Sequence, residues 1–348
     1  MNFLPKVRPT LKLSYQSGLT YDSVSLFCVS ASGIFAILTL TNCQKGRIFS
    51  MSNVTARTFT FIDHSRNERP IKTTIWYRDE LNLKDSQAYH GPKHPLILLS
   101  HGSGSNRISL AWLARPLAEQ GFIVASPDHY GNTFNNPLPE QFKRYWERPR
   151  DLSYLLSQLL LKYGNLIDQT QISAVGFSLG GYSVLALAGV KIDQRLVIAN
   201  GEATLSTKAT ADAPELGQLT KQVVAADPAE VPTDLKDERF SKIVALAPAL
   251  GTGLGSMQQT NNVDVPVLII AAAGDKIAPI DENGRNYHRF LPQAQYHELP
   301  DNVDHFIFLP VSKNFAPADR FWYQDAPGVD RNQIHTEVLT KVSDFLTN

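Results

Sequence analysis

The segment from Gln171 to Ala188 constrains the fold more than any other part of the chain. Its pattern is a short apolar strand at 171–175, the turn GFSLG at 176–180, and a helix at 179–188. A G-x-S-x-G turn between a strand and a helix is tight and strained, so small residues must stand two positions before and after the serine. The helix N-terminus also directs free N–H groups toward the serine. We therefore predict that Ser178 is a nucleophile, in preference to a capping serine in an ordinary glycine-rich turn.

From residue 54 onward the apolar residues alternate between strand-like and helix-like periods, which favours a mostly parallel sheet flanked by helices. Two segments joined by a polar turn are predicted to open the sheet as an antiparallel pair, at residues 58–62 and 71–77. Further strands are predicted at residues 95–100, 122–126, 171–175, 243–247, 265–270 and 295–299. Helices are predicted at residues 109–120, 151–163, 179–188 and 331–346. Asp151 is expected to cap the second helix.

Residues 201–240 interrupt this alternation, because they are rich in alanine, threonine and charged residues and poor in large apolar ones. We interpret them as a small insertion before the last core strands, placed over the edge of the sheet and able to serve as a lid. The rest of residues 54–348 is expected to form one domain around this sheet.

The charge and cysteine content exclude several function classes. Lysine plus arginine equals aspartate plus glutamate at 33 each, and no concentrated basic patch is present, so nucleic-acid binding is not expected. The two cysteines, Cys28 and Cys43, both lie near the N-terminus. The remainder of the chain therefore has no disulfide, no thiol nucleophile and no cysteine metal ligand. We expect no metal and no organic cofactor.

Residues 1–50 are predicted to be a signal peptide or a membrane anchor. Three basic residues in the first twelve positions precede an uncharged run at 24–41, and small residues follow. The sequence LTNC at 40–43 is similar to a lipoprotein processing box with Cys43 as the lipidated residue. We thus expect an exported protein, either periplasmic or attached to a membrane. The alternative is translation from Met51, which would leave a cytoplasmic protein.

A second glycine-rich turn, SHGSGS at 100–105, follows the strand at 95–100. In sheets with a nucleophile turn, an oxyanion is held by the N–H of the residue after the nucleophile and by an N–H from the loop after an earlier strand. This rule assigns the backbone N–H groups of Leu179 and Ser103. His101 has no histidine or carboxylate partner at metal-ligand spacing, so we expect its ring to brace the loop.

A serine hydroxyl needs a histidine to accept its proton and a carboxylate to orient that histidine. Asp275 follows the strand at 265–270 in a loop bounded by glycine and proline, and it is the predicted acid; Asp281 and Asp304 are weaker candidates. His305 follows the strand at 295–299, with aromatic residues behind it, and it is the predicted base. The other histidines of the C-terminal third are assigned structural roles: His288, His297 and His335.

Asp128 and His129 open the loop after the strand at 122–126. We interpret Asp128 as a brace for this loop with no part in chemistry. The alternative places His129 at the rim of a pocket.

With these residues assigned, the chain resembles a bacterial α/β-hydrolase family of predicted dienelactone hydrolases, related to platelet-activating-factor acetylhydrolases and more distantly to cutinase-like polyesterases. The matching segments are SHGSGSN (100–106), PDHYGNT (127–133), RPRDLSYLL (148–156), GFSLGG (176–181), LKDERFSKIVALAPALG (235–251), PVLIIAAAGD (266–275), DHFIFL (304–309) and GVDRNQIH (328–335). The resemblance implies the α/β-hydrolase fold and a carboxylic-ester hydrolase using Ser178, Asp275 and His305. The chain departs from true dienelactone hydrolases, which use a cysteine nucleophile.

The expected reaction is a two-step acyl transfer on a small-molecule ester, with an acyl-enzyme intermediate on Ser178. Two alternatives stay open. One is an amide or thioester hydrolase of the same fold, and the other is a ligand receptor on this fold with vestigial turnover.

Overall fold

A computed structural model of the 348-residue chain describes residues 53–81, 83–205, 221–316 and 319–348. The signal, anchor and lipidation predictions for residues 1–50 fall outside these ranges and stay predictions. Within the described ranges, no helix combines the length and the hydrophobicity that crossing a bilayer requires.

The described strands form one eight-stranded sheet and one small hairpin. The strands are β1 (Val54–Asp63), β2 (Arg69–Arg78), β3 (His94–Ser100), β4 (Ile123–Pro127), β5 (Asn132–Thr133), β6 (Asn136–Pro137), β7 (Ile167–Phe177), β8 (Lys242–Leu246), β9 (Val267–Ala272) and β10 (Gln295–Leu299). The order across the sheet is β1-β2-β4-β3-β7-β8-β9-β10, and β5 pairs with β6. β1–β2 and β2–β4 are antiparallel, whereas all other pairs of the large sheet are parallel. The predicted antiparallel start and parallel body are confirmed.

The helices cover both faces of the sheet. They are α1 (Ala111–Glu119), α2 (Pro139–Lys143), α3 (Glu147–Tyr163), α4 (Leu179–Ala188), α5 (Gln194–Leu205), α6 (Gly284–Phe290), α7 (Arg320–Tyr323) and α8 (Arg331–Thr347). The prediction that Asp151 caps α3 is wrong, because the helix begins four residues earlier and encloses Asp151 without solvent exposure. Its carboxylate binds the buried Arg69 and the half-buried Arg66 instead of the helix N-terminus.

The core has two layers, one on each face of the sheet. Neighbouring residues of β3 enter opposite layers: Leu96 and Leu98 pack with α3, while Ile97 and Leu99 pack with α1 and α8. Successive side chains of a strand point to opposite faces, so a strand covered on both faces must be apolar throughout. This geometry explains the uninterrupted apolar run that β3 shows in the sequence.

The insertion lies between α4 and β8, and β8 is an inner strand of the sheet. At its described end, Val223 and Ala226 are buried against Tyr145, Trp146 and Tyr182. This end therefore packs on α4 and on the turn before α3. The prediction that the insertion lies over the edge of the sheet and serves as a lid stays a prediction. The middle of the insertion, residues 206–220, lies outside the described ranges.

Candidate active site

Ser178 stands alone between the end of β7 and the start of α4. Its backbone has φ 57° and ψ −121°, a conformation that L-residues adopt only under strain. Glycine is required on both sides, because a Cβ on Gly176 would overlap the Gly180 carbonyl and one on Gly180 would overlap the Ser100 carbonyl. The Ser178 N–H donates to the Leu246 carbonyl at 2.9 Å, which anchors the turn to β8. Here β7 passes directly into the helix, as the sequence predicts.

His305 reaches the Ser178 hydroxyl from the loop after β10. The Ser178 Oγ lies 2.9 Å from His305 Nε2, and His305 Nδ1 lies 2.5 Å from Asp275 Oδ2. A carboxylate only accepts hydrogen bonds, so Nδ1 carries the proton and Nε2 is free to accept the one from serine. The ring packs between Phe177 and Phe306, with ring centroids 4.9 and 5.2 Å away.

Asp275 is oriented by two backbone N–H groups in the loop after β9. Its Oδ1 accepts the backbone N–H groups of Ile277 at 2.8 Å and Ala278 at 2.7 Å, so Oδ2 faces the histidine. The two rival carboxylates have other partners. Asp281 binds Arg285 at the surface, and Asp304 accepts the His305 backbone N–H. Asp275 is therefore the carboxylate that the structure brings to His305.

The loop after β3 lies against the nucleophile turn. A Cβ added to Gly102 would lie 3.4 Å from the Ser178 Cβ. Among the described residues, the backbone N–H groups of Ser103 and Leu179 donate to no protein acceptor, and the buried Ser103 hydroxyl also has no partner. Two free N–H groups beside a serine hydroxyl are what an oxyanion site requires.

The histidines predicted to be structural lie away from the serine. His288 stacks on Tyr296, and His297 binds Glu337 at 2.7 Å. His335 stacks on Trp112 and binds the Ile307 carbonyl at 2.7 Å. His335 thereby holds the turn that carries His305, while burial lowers its pKa to about 4.

Behind the loop after β3 lies a buried group of charges that the sequence did not reveal. Asp151 accepts hydrogen bonds from Arg69 at 2.7 and 3.0 Å, from Arg66 at 2.8 Å and from His129 at 3.0 Å. Burial and the nearby Arg148 guanidinium lower the pKa of His129 to about 3. Burial raises the pKa of Asp151, but the Arg69 guanidinium and the hydrogen bond from His129 outweigh it and hold this pKa well below its ordinary value.

These contacts decide between the two interpretations of the loop after β4. His129 is completely buried, so it does not lie at a pocket rim. Asp128 accepts hydrogen bonds from the Arg107 backbone at 2.8 Å and side chain at 2.7 Å, which ties this loop to the one after β3. The one sequence feature that could have indicated this buried charge cluster is the RPRD segment at 148–151, whose charges would be costly to bury without partners.

Within the described ranges, no group of three or more histidine, cysteine, aspartate or glutamate side chains is arranged to hold a metal ion. The polar groups gathered at the turn are the Ser178 hydroxyl, the His305 imidazole, the Asp275 carboxylate and two backbone amides. This set can transfer a proton from serine and stabilise an oxyanion.

The mixed sheet and the strained turn after its fifth strand in spatial order define an α/β-hydrolase. The profile of the alpha/beta hydrolase family matches residues 96–318, more than half of the chain. The chain therefore belongs to the alpha/beta hydrolase family.

Similar proteins share parts of the sequence or the fold. Cutinase est1 of Thermobifida alba is 29% identical over 269 residues, which cover 76% of this chain and 68% of the cutinase. Dipeptidyl-peptidase 5 of Porphyromonas gingivalis is 35% identical over 102 residues, which cover 28% of this chain and only 15% of the peptidase. The fold matches a ferulic acid esterase from Streptomyces cinnamoneus with a TM-score of 0.53 and 16% identity, covering 86% of this chain and 90% of the esterase.

Proposed function

We propose that the protein is a serine hydrolase that cleaves carboxylic esters through an acyl-enzyme intermediate. The observation that carries the proposal is the continuous hydrogen-bonded chain from Ser178 through His305 to Asp275, at a strained turn beside two free amides. We propose Ser178 as the nucleophile, His305 as the base and Asp275 as the acid.

In the proposed mechanism His305 accepts the Ser178 proton while the hydroxyl attacks the ester carbonyl. The negative charge that develops on the carbonyl oxygen is held by the N–H groups of Ser103 and Leu179. His305 then protonates the leaving alcohol, and Asp275 stabilises the imidazolium in the step between. A water molecule attacks the acyl-enzyme by the same route and releases the acid. The sequence of steps needs no metal and no cofactor.

The ester, in preference to an amide, is supported by the extent of similarity to the cutinase, which covers three-quarters of this chain, against 28% for the peptidase. An amide leaving group is also the harder one to expel, because the amine must be protonated as it departs. We also propose that, within the alpha/beta hydrolase family, the protein is related to the predicted dienelactone hydrolases and to the platelet-activating-factor acetylhydrolases.

Labelling with a fluorophosphonate followed by peptide mapping tests the mechanism. We expect one adduct on Ser178, together with hydrolysis of p-nitrophenyl esters and slower or no hydrolysis of the matched anilides. Faster turnover of anilides or thioesters would replace the ester assignment. Absence of an adduct on folded protein would favour a ligand receptor on this fold.

A further inference from the structure

We propose that Arg148 is a positioning residue that, together with His101, sets the direction of the Ser103 N–H in the oxyanion site. The inference rests on the proposed function and assigns a role to the buried charges behind the loop after β3. Among the described residues Arg148 makes no hydrogen bond to Ser178 or His305, so its effect is transmitted through the backbone of that loop.

The direction of the Ser103 N–H is fixed by the peptide unit to which it belongs. That unit also contains the Gly102 carbonyl, and in a planar trans peptide the N–H and C=O point in opposite directions. The Gly102 carbonyl accepts from His101 Nδ1 at 2.7 Å and from the Ser105 N–H at 3.2 Å. Two donors on this carbonyl leave the Ser103 N–H facing the other way, without a partner among the described residues.

The tautomer of His101 follows from its second contact. The His129 backbone N–H donates to His101 Nε2 at 3.2 Å, so Nε2 must be unprotonated and Nδ1 must carry the proton. Burial and the charge of Arg148 lower the pKa of His101 well below its ordinary value, which keeps the ring neutral. A neutral ring with this tautomer is the one that can donate to the Gly102 carbonyl.

Arg148 holds the preceding peptide unit and joins it to the nucleophile helix. Its Nη2 donates to the His101 carbonyl, and its Nη1 donates at 2.7 Å to Asn132 Oδ1. The same Asn132 oxygen accepts the Gly104 N–H at 3.4 Å, and Arg148 Nε lies 3.3 Å from the Ser183 hydroxyl on α4. One guanidinium thus binds the loop directly at His101, reaches Gly104 through Asn132, and contacts the helix that begins after Ser178.

The chemistry of this position requires arginine. Arg148 is 1% exposed, and among the described residues its hydrogen bonds go to neutral oxygens and not to a carboxylate. Burial lowers its pKa, and the charge of Asp151 opposes this. Lysine would keep the charge, but a single ammonium cannot reproduce the planar arrangement of three donors.

Arg148→Lys tests the inference, with Arg69→Lys as the matched control. Arg69 is also buried and lies in the same charge cluster, but it binds Asp151, Gln141 and the Tyr130 carbonyl rather than the loop. Turnover is measured per active site, counted by titration with a fluorophosphonate, so a loss of folded protein does not enter the rate.

For Arg148→Lys we expect kcat to fall by about 10- to 100-fold with KM changed less than about twofold, because an oxyanion donor acts mainly in the transition state. The affinity for an arylboronic acid, which forms a tetrahedral adduct on the serine, should fall in parallel. For Arg69→Lys we expect kcat per active site within about threefold of the parent. A parent-like kcat in Arg148→Lys, an equal loss in both variants, or a loss confined to KM overturns the inference.

Asn132→Ala provides a second test if Arg148 variants do not fold. It removes the acceptor shared by Arg148 and Gly104, so we expect kcat to fall at least about fivefold at unchanged KM; an unchanged kcat overturns the inference. If the parent protein itself forms no fluorophosphonate adduct, the proposed function fails, which is a different result from a labelled, active parent with indifferent Arg148 and Asn132 variants.

Discussion

Two regions of this molecule contain a serine, a histidine and an aspartate joined in the same order by hydrogen bonds. In the candidate active site, Ser178 Oγ lies 2.9 Å from His305 Nε2, and His305 Nδ1 lies 2.5 Å from Asp275 Oδ2. Behind the loop after β3, Ser100 Oγ lies 2.9 Å from His129 Nε2, and His129 Nδ1 lies 3.0 Å from Asp151. Connectivity and distance alone do not distinguish the two.

The surroundings of these two Ser-His-Asp groups differ in backbone strain, in solvent exposure and in local charge. Ser178 lies on a strained turn, is 8% exposed and has free amides beside it, whereas Ser100 is completely buried at the end of β3. The pKa of His129, about 3, makes it a very weak base at neutral pH, and the charge of Asp151 is already neutralised by Arg66 and Arg69. Access and local charge, rather than hydrogen-bond connectivity, therefore separate the group that we propose to be catalytic from the buried one.

The largest expected difference is between the two serines. Ser178→Ala should reduce ester turnover by about a millionfold, since the nucleophile is lost. Ser100→Ala should keep turnover per active site within about tenfold and should still be labelled on Ser178 by a fluorophosphonate. Measured turnover of p-nitrophenyl esters by both purified variants checks this. Loss of labelling in folded Ser100→Ala would show that the two Ser-His-Asp groups are not independent.

The two aspartates should separate activity from stability. Asp275→Asn should lower kcat by about 10⁴-fold with little loss of stability, because the histidine would be left in the wrong tautomer. Asp151→Asn should instead lower the free energy of unfolding by about 3–5 kcal/mol, because the buried Arg69 loses its counter-charge and Arg66 loses one of its carboxylate partners. Urea unfolding and turnover per active site measure both effects. Parent-like turnover in Asp275→Asn would move the acid role to Asp281 or Asp304.

The burial of His129 should make the folded state sensitive to acid. The unfolded chain binds a proton on His129 near pH 6.5 and the folded protein only near pH 3, so unfolding takes up a proton between these values. The free energy of unfolding should therefore fall as the pH drops below about 6.5, by about 1.4 kcal/mol per pH unit for this group. Urea titrations from pH 7.5 to 4.5 measure it. His129→Gln should show a shallower slope, and a slope equal to that of the parent would contradict the assignment.

The smallest effect is expected at the Ser103 hydroxyl, which belongs to neither of the two Ser-His-Asp groups. Ser103→Ala keeps the backbone N–H, so kcat should stay within about threefold of the parent. A drop of tenfold or more, at unchanged KM, would instead show that the unpartnered Ser103 hydroxyl is a third oxyanion donor. Ser105→Ala on the same loop is the control.

Much of the site could be predicted because its signals are local in sequence. The glycines around Ser178, the apolar strand before it and the helix after it all belong to one short segment, and backbone sterics dictate their order. Asp275 and His305 could be assigned because the carboxyl ends of parallel strands meet at one edge of a sheet. The packing of the insertion's described end on α4 could not be predicted, since it depends on contacts with residues far away in the chain.

Periodicity and strand order were enough to predict the fold, the strained turn at Ser178, and the sheet edge at which Asp275 and His305 meet it. The folded structure was needed to show that Asp151 is the centre of a buried charge cluster and not a helix cap, and that Arg148 binds the loop after β3. The physical reason is that the free energy of a buried charge depends on partners distant in sequence, such as Arg66 and Arg69, about 80 residues away. No periodicity within the chain encodes such a partnership.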